Sequence, residues 1–206
     1  MTQHAFFFDG SRCTGCKTCE FACKDYYDLN KDTQYRKVYE CTGGETIKDS
    51  KGSLSTTCFS YYVSLACNHC TDPACTKVCP TGAMHKNEET GLVSVDAGKC
   101  IGCGYCHMAC PYNVPKVDRE KGHSVKCDGC ADRVAAGEQP ICVRACPARA
   151  LEFGTVDVIA KLGAVADIAP LPASSFTHPN LYIKPSKDAL PSGSADGKVV
   201  NPLEVQ

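Results

Sequence analysis

An α+β fold of two small units related by a pseudo-twofold internal repeat, one inserted into the other and followed by an extended C-terminal tail, is what this 206-residue sequence predicts. Three observations predict it. Eighteen residues are cysteine, and sixteen of them fall into four tight quartets of related spacing. The segments flanking the quartets read as short strands joined by polar turns. The residues from Ala169 onward are rich in proline, serine and glycine, a composition that cannot build a core of its own.

The first quartet is Cys13, Cys16, Cys19 and Cys23 (CTGCKTCEFAC), spaced CxxCxxCxxxC. The second, Cys67, Cys70, Cys75 and Cys79 (CNHCTDPACTKVCP), adds two residues before its third cysteine. The third, Cys100, Cys103, Cys106 and Cys110 (CIGCGYCHMACP), returns to the first spacing. The fourth, Cys127, Cys130, Cys142 and Cys146 (CDGCADRVAAGEQPICVRACP), adds nine residues between its second and third cysteines. CxxCxxCxxxCP is the spacing of bacterial ferredoxin-type iron-sulfur sites. A structural zinc site wants two separated CxxC pairs and has no use for a third cysteine at the next interval. Three cysteines crowded at CxxCxxC also favour wrapping one compact inorganic core over cross-linking distant loops. Soft thiolates holding iron and sulfide fit best.

Three cysteines at this spacing let one loop, freed by glycines such as Gly15, Gly102 and Gly104, grip three corners of a cubane. The last cysteine, one helical turn on, is carried to a neighbouring cluster, and the proline after three of the quartets turns the chain away. The segment TGAMHKNEETGLVSVDAGK between Cys79 and Cys100 reads as a hairpin, so the second and third quartets pair. The first and fourth then pair with each other. Their flanks agree, FFFDGSR matching LVSVDAGK and PARALEFG matching PTGAMHKN. The predicted organisation is an outer ferredoxin-like unit over 1–40 and 120–168, a linker hairpin over 41–62, an inserted ferredoxin-like unit over 63–119 and an extended docking tail over 169–206.

Four 4Fe-4S clusters follow from this pairing. Cys13, Cys16, Cys19 and Cys146 would hold cluster 1, and Cys23, Cys127, Cys130 and Cys142 cluster 2. Cys67, Cys70, Cys75 and Cys110 would hold cluster 3, and Cys79, Cys100, Cys103 and Cys106 cluster 4. Clusters that share alternating ligands lie close together, so the expected activity is conduction of single electrons. No hydrolytic or nucleophilic site is legible, and no catalytic residue is expected. His69 and His107 lie inside quartets but are not needed as ligands. Lys17, Lys24, Lys77, Lys99, Lys126 and Arg144 either raise the potential of a nearby cluster or form solvated surface. Tyr105 and Tyr112 are expected to pack over a cluster or meet a partner. Cys41 and Cys58, outside the quartets, read as small buried residues or as one disulfide.

Composition sets the remaining bounds. With 43% hydrophobic and 22% charged residues the chain is globular. Its formal charge of -1 would fall to about -9 with four clusters at roughly -2 each, which disfavours nucleic acid as a partner. The N-terminal MTQHAFFFDGSRC lacks the basic and apolar regions of a secretory signal. No run approaches the roughly 20 apolar residues of a membrane span. Val156 to Leu171, with apolar residues at helical spacing, predicts an amphipathic surface helix.

The stretches SRCTGCKTCEFACKDY, CNHCTDPACTKVCPTGAMHK, IGCGYCHMACPYNVPKV, KCDGCADRV and APLPASSFTHPNLYIKP together resemble the four-cluster electron-transfer subunits of molybdopterin oxidoreductases. Linkers and tail are most similar to the iron-sulfur (B) subunits of the dimethyl sulfoxide reductase branch. Nitrate reductase relatives replace one cysteine, whereas all sixteen positions here are cysteine. Formate dehydrogenase relatives carry a C-terminal membrane helix that this chain lacks. The resemblance implies a non-catalytic subunit that takes electrons from an integral membrane quinol-oxidising anchor and passes them to a molybdopterin-containing catalytic subunit. The inserted unit with Cys103 would face the quinol side. It also implies a membrane-associated complex, on the outer (periplasmic) face and exported with the catalytic partner, the cytoplasmic face being the alternative. Equivalent subunits of polysulfide, thiosulfate or tetrathionate reductases or of hydrogenases share the cysteine motifs.

Overall fold

The structure is a computed structural model that describes residues 2–205. Its centre is set by Phe6, Phe7 and Phe8. A continuous apolar run suits a strand buried on both faces, and strand His4–Asp9 is one. Phe6 and Phe8 enter the main core, while Ala5 and Phe7 pack with Ile159 on the opposite side. Each such ring contributes about 1.5–3 kcal/mol by leaving water. The strand pairs antiparallel with Leu151–Thr155, Phe6 opposite Phe153, and parallel with Leu181–Lys184, Phe6 opposite Leu181. Ala164–Val165 completes this four-stranded sheet.

The segment 169–206, expected as an extended tail, runs along this chain itself. Leu181 and Ile183 are core residues, Gly197–Val199 pairs with Lys37–Gly43, and the Asn201 side chain holds the backbone of Val38 and Glu40. A composition too poor to form a core alone still completes one begun elsewhere. Ile183→Ala is expected to destabilise the protein by about 2–5 kcal/mol, the usual cost of such a truncation in a core. Chemical denaturation of the cluster-loaded protein would measure it, and a loss below about 0.5 kcal/mol would mark the tail strand as peripheral.

The linker hairpin is longer than the expected 41–62. Lys37–Gly43 and Phe59–Leu65 pair in register from Lys37–Leu65 to Gly43–Phe59. Tyr61, Val63 and Leu65 are buried at the two-residue period of a strand with one face in the core. A second, exposed hairpin of Thr46–Lys48 and Leu54–Thr56 extends its tip. Gly44 makes the bend at a φ of 78°, and a Cβ there would lie 2.2 Å from the Thr57 carbonyl oxygen. Cys41 is buried as expected, but Cys58 is exposed near this tip, and both are free thiols. The expected helix over Val156 to Leu171 is also corrected, to a single turn at Val156–Ile159. Gly163 interrupts it where a Cβ would lie 2.7 Å from the Ile183 backbone. The periodic residues are buried in separate places, Ile159 behind the sheet and Ala166 and Leu171 in the main core.

Two further hairpins, Met84–Lys86 with Val93–Val95 and Lys116–Asp118 with His123–Val125, flank the third quartet. Their turns are held by side chains: Asn87 Oδ1 accepts the N–H groups of Glu89 and Thr90, and Asp118 Oδ1 those of Glu120 and Lys121. Around the quartets the helices are short, Ala74–Lys77, Tyr105–Ala109, Ala131–Ala135 and Ile141–Ala145, except for Thr18–Tyr26. The difference follows from proline. After Cys79, Cys110 and Cys146 a proline begins a turn in which the cysteine carbonyl accepts the N–H of Gly82, Asn113 or Arg149. Those three residues all have positive φ. Cys23 is followed by Lys24 instead, and its helix runs on to Tyr26.

Candidate iron-sulfur sites

The CxxC loops share one backbone bend. The residue before the second cysteine has positive φ in every quartet: 68° at Gly15, 43° at His69, 65° at Gly102 and 81° at Gly129. Glycine adopts this conformation without strain, whereas a side chain at His69 has to be held there. It is held well. Nδ1 of the buried imidazole accepts the Val93 N–H at 2.9 Å, and the Asn180 side chain donates to the His69 carbonyl at 2.8 Å.

These loops bring the sixteen cysteines into four sets. Cys13, Cys16, Cys19 and Cys146 line a cavity with about 330 Å³ of empty space, walled by Phe8, Val38 and Leu151. Cys67, Cys70, Cys75 and Cys110 line another of about 300 Å³ with Val93, Tyr112 and Lys126. Cys79, Cys100, Cys103 and Cys106 line a third of about 330 Å³ with Met84 and Val95. Cys23, Cys127, Cys130 and Cys142 are close, electrostatically coupled neighbours, and all four are buried. In every set one thiol comes from a different quartet than the other three. Among the described residues no three cysteines, histidines or acids converge tightly enough for one metal ion. In each of three sets the thiols instead line one shared cavity.

The surroundings fit an iron-sulfide core. Burial pushes the thiols of Cys13 and Cys130 up to about 11 and those of Cys70 and Cys75 to about 12. They would become thiolates only with a cationic metal to receive them. Backbone N–H groups already point at sulfur, from Met84 to Cys79, Ser124 to Cys100 and Ala150 to Cys146 at 3.3 Å each, and from Gly129 to Cys127 at 3.4 Å. Hydroxyls take part too: Thr177 donates to Cys70 Sγ at 3.2 Å, and the Ser124 oxygen accepts from the Cys106 thiol at 3.3 Å. Among the buried donors without a partner are Nε2 of His69, beside Cys127, and Nε of Arg36. An acceptor sulfide would satisfy such groups.

Of the cations singled out from the sequence, Lys126 alone is buried at a site. It lines the Cys67, Cys70, Cys75 and Cys110 cavity and donates to the carbonyls of Val93 and Cys127. Lys17, Lys77 and Lys99 pair at the surface with Glu204, Asp72 and Asp96. Lys24 caps the Lys31 carbonyl, and Arg144 is exposed. Tyr112 packs buried over the cavity of Cys67 and its partners, Tyr105 is half exposed beside Cys103, and His107 Nδ1 lies 2.7 Å from the Pro115 carbonyl oxygen. Sequence reasoning missed Arg36, Ser64 and the tail residues Thr177 and Asn180, which brace the Cys70 loop from more than a hundred positions away. Nothing local in the sequence marks them.

The family model described as a 4Fe-4S dicluster domain matches residues 58–156, which include twelve of the sixteen quartet cysteines. The chain is 56% identical over 205 residues to the B subunit of the anaerobic dimethyl sulfoxide reductase of Escherichia coli (strain K12), covering 99% of each. It is 39% identical over 156 residues to the thiosulfate reductase electron transfer subunit of Salmonella typhi, covering 75% of this chain and 77% of that one. To the iron-sulfur subunit of the nitrate-inducible formate dehydrogenase of Escherichia coli (strain K12) it is 33% identical over 193 residues, covering 86% of this chain and 63% of the relative.

Proposed function

Because the chain belongs to the family of the B subunits of anaerobic dimethyl sulfoxide reductases, we propose that it holds four 4Fe-4S clusters and conducts electrons between two partner subunits. The single observation that carries this reading is the exposure of the thiols. Cys16 is exposed in one set and Cys103 in another, while the other two sets have no exposed cysteine. That is the pattern of a wire with two contact ends and an insulated middle. Cys13, Cys16, Cys19 and Cys146 form one end, Cys79, Cys100, Cys103 and Cys106 the other. The sets of Cys23, Cys127, Cys130 and Cys142 and of Cys67, Cys70, Cys75 and Cys110 lie between them in the path.

Apolar surface accompanies both ends. Ile101, Tyr105 and Met108 are exposed around Cys103, and Phe21 and Leu203 lie exposed near the Cys16 end, Leu203 next to the Glu204 that pairs with Lys17. Large exposed apolar groups beside a cofactor mark docking surface. The Cys103 end receives electrons from a membrane quinol-oxidising subunit. The Cys16 end delivers them to a molybdopterin subunit that reduces an S- or N-oxide by two electrons. Iron-sulfide clusters supply the one-electron carriers; this chain's residues hold them, exclude water and set their charge environment. No helix among the described residues is long and apolar enough to cross a membrane, and the chain is held at the membrane's outer face through its partners.

The higher identity to the dimethyl sulfoxide reductase subunit than to the thiosulfate reductase subunit favours the S-oxide branch. The test is purification of the intact complex under anaerobic conditions. Expected are about sixteen irons per copy of this chain, two co-purifying partners, and quinol oxidation driven by dimethyl sulfoxide. Turnover with thiosulfate alone would reassign the complex, and far less iron would remove the wire.

A further inference from the structure

Among the described residues Arg36 is the largest fully buried side chain, 2% exposed. A buried guanidinium costs several kcal/mol unless it is paired. No aspartate or glutamate among the described residues makes an ion pair with it. Its neighbours are of another kind. Nη1 donates to the Ser64 hydroxyl at 3.0 Å, and that oxygen lies 3.5 Å from Cys19 Sγ. The guanidinium carbon sits 5.1 Å from the centre of the Phe6 ring, and Nε has no partner. The sulfurs that act on its charge are those of Cys142, Cys19, Cys127 and Cys23. Cys19 belongs to one set of thiols and the other three to a second, so the cation stands between two sites.

We infer that Arg36 is a shared counter-charge for the cluster held by Cys13, Cys16, Cys19 and Cys146 and the cluster held by Cys23, Cys127, Cys130 and Cys142, and that it raises the reduction potential of both. The inference rests on the four-cluster reading. Its physics is direct. Reducing either cluster adds one electron and one negative charge, and a fixed positive charge in a poorly polarisable interior stabilises the product. Arginine stays protonated throughout, so it takes up no proton and adds no pH dependence to either potential. The surroundings hold that charge in place. Ser64 orients the guanidinium toward Cys19, Phe6 covers one face, and burial keeps water from screening it. Lysine would keep the charge but lose the planar fork.

The test is a redox titration of the full chain, isolated anaerobically with its clusters and followed by electron paramagnetic resonance, for the wild type, Arg36→Gln and Arg36→Lys. With Arg36→Gln, two of the four clusters are expected to become harder to reduce. Their oxidised-to-reduced ratio at a fixed potential should rise about tenfold, which is about 59 mV for a one-electron couple. The other two should not move, and Arg36→Lys should restore the shifted pair. Four unchanged potentials in Arg36→Gln, or an equal shift in all four, would overturn the inference. If Arg36→Gln does not load iron, loading of Arg36→Lys with wild-type potentials supports the need for charge, and failure of both variants overturns it in favour of shape alone. Iron content and the number of signals in the wild type test the four-cluster reading separately.

Discussion

Alanine in place of Cys110 is expected to abolish the four-iron form of the cluster of Cys67, Cys70 and Cys75 and to leave intact the one nearest to it in sequence, that of Cys100, Cys103 and Cys106. The structure explains the apparent leap. Cys110 ends helix Tyr105–Ala109 with an extended backbone, φ -80° and ψ 113°. The Pro111 turn that follows aims its thiol across into the cavity that Tyr112, Val114 and Pro115 help to wall. Cys103 and Cys106 face the other cavity. Iron content should fall by about one to four atoms per chain, because a cubane that loses one thiolate either sheds the iron it held or is lost outright. Electron paramagnetic resonance of the reduced protein should lose one cluster's signal. Cys103→Ala should remove a different signal with the same loss of iron. If Cys110→Ala instead removed the signal that Cys103→Ala removes, the crossover between quartets would be wrong.

Stripping the clusters with a chelator under reducing conditions is expected to unfold most of the chain. The packing leaves little else to hold it. Around the Cys103 site the buried apolar core consists of Cys75, Met84, Val93 and Cys106, two of the four being thiols. The larger core carries Cys19, Cys67, Cys70, Cys127, Cys142 and Cys146 among its buried members. Removing a packed inorganic body from these walls leaves lining atoms without contacts and leaves Arg36 without a counter-charge. A domain of this size has a net stability of only about 5–15 kcal/mol. Near-ultraviolet circular dichroism and amide dispersion in NMR spectra should collapse on stripping and return only with iron, sulfide and reductant. An apo chain that kept its dispersed spectrum and cooperative melting would show that the polypeptide folds without its cofactors.

The parts of this molecule that were legible in its sequence are those where spacing alone dictates geometry. CxxC loops with Gly15, Gly102 and Gly129 bend as such loops must, and the prolines after Cys79, Cys110 and Cys146 stop helices that Cys23, lacking one, does not stop. The same rules placed the hairpin between Cys79 and Cys100. The misses share a cause. Residues 156–171 carry a helical pattern, but the contact of Gly163 with Ile183 decides otherwise, and that contact spans twenty positions. The strands within the expected extended tail were not legible, because a composition says nothing about a sheet waiting elsewhere for a strand. Arg36 sits in an unremarkable polar stretch, QYRKVY, where charge is ordinarily solvated. Only the fold encloses it.

The parallel pairing of His4–Asp9 with Leu181–Lys184 has a consequence for biosynthesis. A nascent chain emerges from the ribosome in sequence order, so His4–Asp9 must wait for its parallel partner until Leu181–Lys184 has been made. The first cysteine loop waits too, for Cys146. Contacts this distant along the chain are slow to form, and in the interval a sticky phenylalanine edge faces the crowded cell. Closure of this sheet therefore awaits Leu181–Lys184, and a protein that covered the edge meanwhile would limit aggregation.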